Sequence, residues 1–413
     1  MMDTSTALGR GIYPLYQKHD RLRFGGYMQP QFQWANQKGL QNFSGGDFSP
    51  NSNNRFTLRR GHVRIDYGHF TEDGKPLALM VFQFDGSERG VFIRDFFGRL
   101  YENKWEMLSL TMGMFARPMG FEVNLSSAER ESPERGRMSQ ILMRTERDLG
   151  AMITIETRKK NAAIKMLKFD LGIFNGQGLS GSTDYDSHKD LIGRLALKPY
   201  KISKKGLLLS GGISGYWGGI VSQNTVRYFM VENGSTSNWF KDSASGNMGL
   251  VAPRKYIGGD LQLKIPNRWG NTELRFEYMR GLQTATATTS ETPGIYPQAV
   301  GTNNPIPLFT RPFAGAYCYF LQNLGSNNIL FALKYDWYDP NTKAKGKQID
   351  PANGFSAADI RYDTFGGGLI YNFNSHVKST LWYEQIHNET TNIPGFTTDL
   401  NSQVLTLRVQ YRF

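Results

Sequence analysis

The segment Val404–Phe413 reads "VLTLRVQYRF". Leu405, Leu407, Val409, Tyr411 and Phe413 fall on one side of an extended strand, and Thr406, Arg408, Gln410 and Arg412 on the other. That period of two marks a strand with one apolar and one hydrated face. The apolar face runs to a bare aromatic ring, and a strand so placed needs neighbours for its backbone N–H and C=O groups.

The same alternation recurs along the chain and picks out about sixteen strand-like segments. They fall at 22–35, 55–70, 76–86, 91–101, 105–117, 148–157, 164–174, 189–198, 206–218, 256–265, 271–281, 311–322, 327–338, 361–373, 376–387 and 401–413. Every second gap is short: "TEDGKP", "ENK", "RKKNAA", "PYKISKK", "PNRWG", "NLGS" and "NS". The others, except "SERG", are long: 36–54, 118–147, 175–188, 219–255, 282–310, 339–360 and 388–400. Sorted short turns and long loops predict an all-β transmembrane up-and-down barrel with short periplasmic turns and longer extracellular loops. Pro76, Pro118, Pro199, Pro266 and Pro340 sit at strand boundaries, where a missing N–H costs no ladder bond. Pro30 lies inside a strand and requires a bulge.

Composition agrees. The 413 residues include 27 Phe, 20 Tyr and 45 Gly, yet only 39% are hydrophobic. Apolar residues are spread over a surface rather than concentrated in a Leu- and Ala-rich core. No window holds the 18 or more apolar residues of a membrane-spanning helix. The single Cys318 rules out an intrachain disulfide framework. "MMDTSTALGRGIYPLY" has no charged segment followed by an apolar run, as in an exported protein after processing. Residues 1–21 read as an N-terminal periplasmic segment, and 22–413 as a single barrel. The net charge of +12 points to anionic company: nucleic acid, lipid headgroups or lipopolysaccharide, or small anionic solutes.

Alternation also sorts the faces. In "KMLKFDLGIF", Leu167, Phe169, Leu171 and Ile173 oppose Lys168 and Asp170; in "TELRFEYMR", Leu274, Phe276 and Tyr278 oppose Glu273, Arg275 and Glu277. A charge on the lipid face costs roughly 2–4 kcal/mol near the midplane, so the charged sides must line water. Aromatics near the strand ends, among them Trp34, Tyr67, Trp105, Trp217, Trp337, Tyr371, Trp382 and Tyr383, predict two interfacial girdles.

"RFTLRRGHVRIDYGHF", "VFIRDFFGRLY", "MGMFARPMGFEVNLSSAERESPERG" and the terminal aromatic strand resemble the porin O and P group, the phosphate-selective porins, in the form common in Bacteroidota. The resemblance covers roughly the first 150 residues and the last dozen. It implies a sixteen-stranded, usually trimeric outer-membrane barrel that passes anions, phosphate among them, with a third extracellular loop folded into the lumen. The loop at 118–147 suits that role and carries Arg130, Arg135, Arg137, Arg144 and Arg147, balanced by Glu122, Glu129, Glu131, Glu134 and Glu146. Arg60, Arg64, Lys168, Arg194, Lys198, Lys264, Arg275, Lys334 and Arg408 are the expected lumen-facing cations, each with the alternative of simply pairing with a neighbouring carboxylate. Phe413 matches the C-terminal signal read by barrel-assembly machinery.

A second reading is a structural or adhesive barrel whose loops dock outer-membrane lipoproteins. An enzyme is the weakest reading: His19, His62, His69, His188, His376 and His387 show no catalytic or metal spacing, and no cofactor is expected. "STDYDSHKD" offers Asp184, Asp186 and Asp190 to Ca²⁺, though a solvated acidic loop explains it more simply. No clustered basic-aromatic motif supports nucleic-acid binding.

Overall fold

Strands form wherever the alternation is sustained, and each strand of the wall pairs antiparallel with its neighbours in the wall. The computed structural model describes residues 21–159, 161–180, 183–234, 236–325 and 328–413. The expected N-terminal segment lies, apart from Arg21, outside the described residues. The first half of the wall is β1 (Leu22–Ala35), β2 (Asn54–Phe70), β3 (Pro76–Ser87), β4 (Gly90–Tyr101), β5 (Leu108–Ala116), β6 (Arg147–Ile155), β7 (Leu167–Phe174), β8 (Asp190–Lys201) and β9 (Leu208–Val221). A hairpin follows, β10 (Arg227–Asn233) and β11 (Thr236–Asp242). The wall resumes with β12 (Val251–Asn267), β13 (Gly270–Ala285), β14 (Leu308–Asn323), β15 (Ile329–Asp339), β16 (Tyr362–Asn372), β17 (Val377–Asn388) and β18 (Ser402–Arg412).

β9 pairs directly with β12, from Val221↔Val251 to Leu208↔Lys264. The hairpin is therefore an insertion between wall strands, and sixteen strands make the barrel. Sequence alternation assigns 219–255 to loop. The structure corrects this: β9 and β12 run further toward the extracellular rim than expected, and β10 runs parallel to β14 over Arg227–Phe229 against Leu308–Thr310. Trp239 of the hairpin packs edge-on against Phe309 at 5.0 Å, which explains why this stretch folds down onto the rim.

β1 pairs with both β2 and β18, closing the sheet. Gln31 stands opposite Arg408, and Trp34 opposite Leu405. At the end of the seam Phe413 N donates to Gly26 O at 3.1 Å and Phe413 O accepts from Gly26 N at 3.2 Å. Gly26 lies under the terminal ring: a Cβ there would stand 2.6 Å from Cζ of Phe413. The last residue thus completes the closing ladder.

The two faces behave as alternation requires. Leu261, Phe276 and Leu333 are 50%, 48% and 45% exposed, while their lumen-side neighbours Asp260, Glu277 and Lys334 are buried. An apolar outer face over a polar inner one is the arrangement a bilayer-spanning barrel needs. One girdle assignment fails. Trp382 is turned inward and fully buried, with Nε1 donating to Glu384 at 3.1 Å. Gly366 and Gly368 make room for it, and a Cβ on Gly368 would lie 2.2 Å from Leu381 O and 2.8 Å from the indole. Gly368→Val is expected to destabilise the barrel by about 1–3 kcal/mol through overpacking, measured as a lowered urea midpoint in lipid vesicles.

Candidate pore constriction

The segment between β5 and β6 does not stay outside. Its residues bond to strands around the whole lumen. Gly120 N donates to Ser214 Oγ of β9, and Phe121 N and Glu122 N both donate to Glu277 of β13, each at 3.0 Å. Gln29 of β1 reaches Ser127 O at 3.0 Å, Lys378 of β17 donates to Ala128 O, and Ser132 Oγ pairs with Tyr319 OH of β14 at 2.6 Å. A short helix, α1 (Arg137–Leu142), starts where Arg137 N donates to Asp336 of β15 at 3.1 Å. The inward fold that the resemblance implied is present over residues 117–146; Arg147 is the first residue of β6 rather than part of the loop.

Packing explains the loop's position as much as hydrogen bonding does. Met119, Val123, Met138, Ile141, Leu142 and Met143 of the loop share a buried cluster with inward-facing Phe174, Ile192, Tyr216, Tyr256 and Phe313. Beside the charged sides expected to line water, one side of the lumen is an apolar seat for the loop. Burying an apolar side chain of this size is worth roughly 1.5–3 kcal/mol, enough to hold a segment that would otherwise extend into solvent.

The polar side is built by two β-bulges flanking β3. In the β1–β2 ladder Met28 pairs with Gly61 and Pro30 with Leu58, so that the single residue Gln29 faces both Arg59 and Arg60. In the β3–β4 ladder Gln83 pairs with Asp95 and Phe84 with Ile93, leaving Arg94 as the extra residue. A bulge re-aims side chains that strict alternation would send to opposite faces. Arg59 and Arg60 therefore both reach Glu134, at 2.8 and 2.7 Å, and Arg408 of the closing strand joins them at 3.1 Å. A second group forms beside it: Arg94, Arg135 and Arg147 lie 3.0, 3.3 and 3.5 Å from Glu146. Burial would raise the pKa of either glutamate, but the surrounding guanidinium groups outweigh it and hold both well below the usual carboxylate range. In each group three fixed cations share one carboxylate, although Arg94 and Arg147 also contact Asp85 and Asp95.

The remaining predicted cations are mostly paired. Arg64 bonds Asp66, Lys168 bonds Asp170, Arg194 bonds Asp260, Lys198 bonds Glu156, and Lys334 bonds Asp336, at 2.5–2.9 Å. Arg275 holds Glu131 of the loop at 2.7 Å and Glu273 at 2.6 Å. Lys264 has no ion-pair partner among the described residues. In the loop, Arg144 is exposed and pairs with Glu291 at 3.1 Å. Arg130 is 4% exposed with Nε and Nη1 unpartnered, and Arg137, also buried, is hydrogen-bonded to Tyr362 but forms no ion pair among the described residues. Arg59 and Arg94 were missed by sequence reasoning, because alternation assigns them to the lipid face. Pro30, which required a bulge, was the one available signal for Arg59. Of the residues offered to Ca²⁺, Asp190 is committed to Arg254 at 2.5 Å and Asp184 to Lys189.

Cavities open on both sides of the loop. The extracellular one, about 950 Å³, is lined by Arg59, Arg89, Arg137 and Arg144 against Asp47 and Glu291. The periplasmic one, about 440 Å³, is lined by Arg23, Arg64, Arg94, Arg147 and Arg412 against Asp66.

No protein-family model and no curated protein sequence matches the chain. Solved structures do. The anion-selective porin of Comamonas acidovorans aligns with a TM-score of 0.56 at 10% identity, over 95% of this chain and 99% of that one. OprB of Pseudomonas putida aligns with 0.59 at 8% identity, over 99% and 97%. OmpF of Salmonella typhi aligns with 0.53 at 13% identity, over 95% and 97%. At such identities the likeness establishes the fold, that of the outer-membrane porins.

Proposed function

We propose that this chain is an outer-membrane porin through which small hydrophilic solutes diffuse passively, with a preference for anions. The observation that carries the reading is the charge beside the lumen-crossing loop: six arginines gathered on Glu134 and Glu146, with arginine-rich cavities above and below. A positive ring set in a low-dielectric wall raises the local concentration of anions and repels cations. Partial neutralisation keeps the attraction shallow, so that an anion is drawn in and still leaves. The apolar seat of the loop narrows the passage from the other side and sets the size limit.

The general pairing of the wall cations also weighs on selectivity. Arg194, Arg275 and Lys334 are each compensated by adjacent carboxylates, so they stiffen the wall more than they filter. Selectivity is then concentrated where bulges crowd the arginines. Replacing both Arg59 and Arg60 by glutamine is expected to lower the chloride-to-potassium permeability ratio roughly threefold or more, read from the reversal potential across a planar bilayer in a KCl gradient. An unchanged potential refutes the role of the bulge. The quoted likeness to the porin O and P group supports phosphate as one permeant anion and a homotrimeric assembly. Chemical cross-linking in native membranes tests the trimer, and phosphate reversal potentials test the anion.

A further inference from the structure

We propose that the extracellular vestibule contains a binding site for small organic acids that carry a ring beside their carboxylate, with Arg137 as its anchor. This goes beyond the channel reading and depends on it only for the route by which the solute arrives. Three features of the cavity carry it.

The first is a buried cation with no ion pair among the described residues. Arg59 is engaged by Glu134, Arg144 by Glu291, and Arg89 lies 4.0 Å from Glu88. Arg137 also lines the cavity, is 9% exposed, has an unpartnered Nε, and makes no ion pair among the described residues. Tyr362 hydrogen-bonds the guanidinium and the carboxylates of Asp336 and Glu384 act on it only from nearby, so no carboxylate offsets its burial in direct contact; a bound carboxylate does so through charge-assisted hydrogen bonds that the planar fork is shaped to donate.

The second feature is the setting of that fork. Cζ of Arg137 lies 3.6 Å from the ring centroid of Tyr362 and 4.6 Å from that of Phe43. The backbone beneath is fixed: Arg137 N donates to Asp336 at 3.1 Å, and Gly136 N to Glu122 at 2.9 Å. Gln140 Nε2 donates to Phe43 O at 2.8 Å and so ties the loop carrying the ring to α1. Rings on the cation remove water from its faces, and the edge not taken by its hydrogen bond to Tyr362 is left for a ligand.

The third is apolar surface continuous with these rings. Half-buried Phe396 and exposed Leu400 line the same cavity above the buried Ile141, Ile360 and Ile386, and its volume of about 950 Å³ accommodates a ring-bearing acid. An inorganic oxyanion would satisfy Arg137 and leave that surface wet; a ring beside the carboxylate covers both. Phe43 comes from the β1–β2 connection, Arg137 from the lumen-crossing loop and Tyr362 from β16, so the site exists only when the two loops are folded in.

The test is isothermal titration calorimetry of the full-length, detergent-solubilised protein with phenylacetate, acetate and inorganic phosphate. Phenylacetate is expected to bind roughly tenfold more tightly than the other two, and Arg137→Gln to weaken phenylacetate binding roughly tenfold. Equal binding of the three anions, or phenylacetate binding unaffected by R137Q, overturns the proposal. Phe43→Ser covers the case in which R137Q does not fold: it is expected to weaken phenylacetate roughly threefold while leaving acetate unchanged, and wild-type phenylacetate binding in F43S overturns the part assigned to the rings. Planar-bilayer conductance separates this from the channel reading, because a protein that binds phenylacetate but carries no current refutes the channel and leaves the site standing.

Discussion

Replacing Glu134 by glutamine is expected to destabilise the folded barrel by about 3–5 kcal/mol and to raise its anion selectivity at the same time. Glu134 is 3% exposed and is the shared partner of Arg59, Arg60 and Arg408. Arg60 and Arg408 are nearly as deeply buried, so the neutral variant leaves two sequestered guanidinium groups without a charge to face. The same carboxylate ties the loop to β2 and to the closing strand β18, and its loss frees that edge of the loop. Single-channel conductance is therefore expected to rise as stability falls, and the chloride-to-potassium ratio to rise with it. A purely structural glutamate would lower stability alone. The pH dependence provides a further check. Because the folded-state pKa of Glu134 is depressed, its contribution is full above the ordinary glutamate value of about 4.3 and is lost as pH falls toward the folded value. Wild type should lose stability through that acid window, and E134Q should lose less there.

The barrel was legible because alternation repeats: any single strand, such as Leu274 to Tyr278, fits a soluble sheet equally well, but the sorted gaps fit only an up-and-down wall. The hairpin at Arg227–Asp242 escaped notice because its inner face is aromatic and its outer face carries Phe229 and Phe240, which blurs the period of two. The constriction was half legible. Arg60 and Arg408 could be placed by parity, whereas Arg59 and Arg94 could not, since a bulge breaks the rule that made the other strands readable. The apolar seat was hidden for another reason. Phe174, Ile192 and Tyr216 look like ordinary sheet residues until the methionines of the loop are folded against them. Long-range packing of a loop onto a wall leaves no periodic trace in either partner.

That seat depends at its extracellular margin on one buried ion pair, and breaking it is expected to cost as much as losing Glu134. Asp190 opens β8, is fully buried, and accepts from Arg254 Nη2 at 2.5 Å, from Gly219 N at 3.0 Å and from Tyr216 OH. Arg254 is 1% exposed and donates also to Gly176 O at 2.9 Å. Tyr216 in turn stacks on Tyr256 at 4.6 Å, and both belong to the cluster beneath the loop. The site tolerates no side chain at Gly218, where a Cβ would lie 1.8 Å from Asp190 Oδ1. Asp190→Asn keeps the size and one acceptor but leaves Arg254 as an uncompensated buried cation, for an expected loss of about 3–5 kcal/mol. If the loss comes from that stranded charge, then removing it as well should recover most of the stability, because a well-packed apolar pair often matches a buried ion pair. The double variant Asp190→Asn with Arg254→Met is accordingly expected to unfold at a higher urea concentration than Asp190→Asn alone. A double variant less stable than the single one would show instead that Arg254 acts through its bond to Gly176 and its cover over Tyr216, and that the anchor is made by packing rather than by charge.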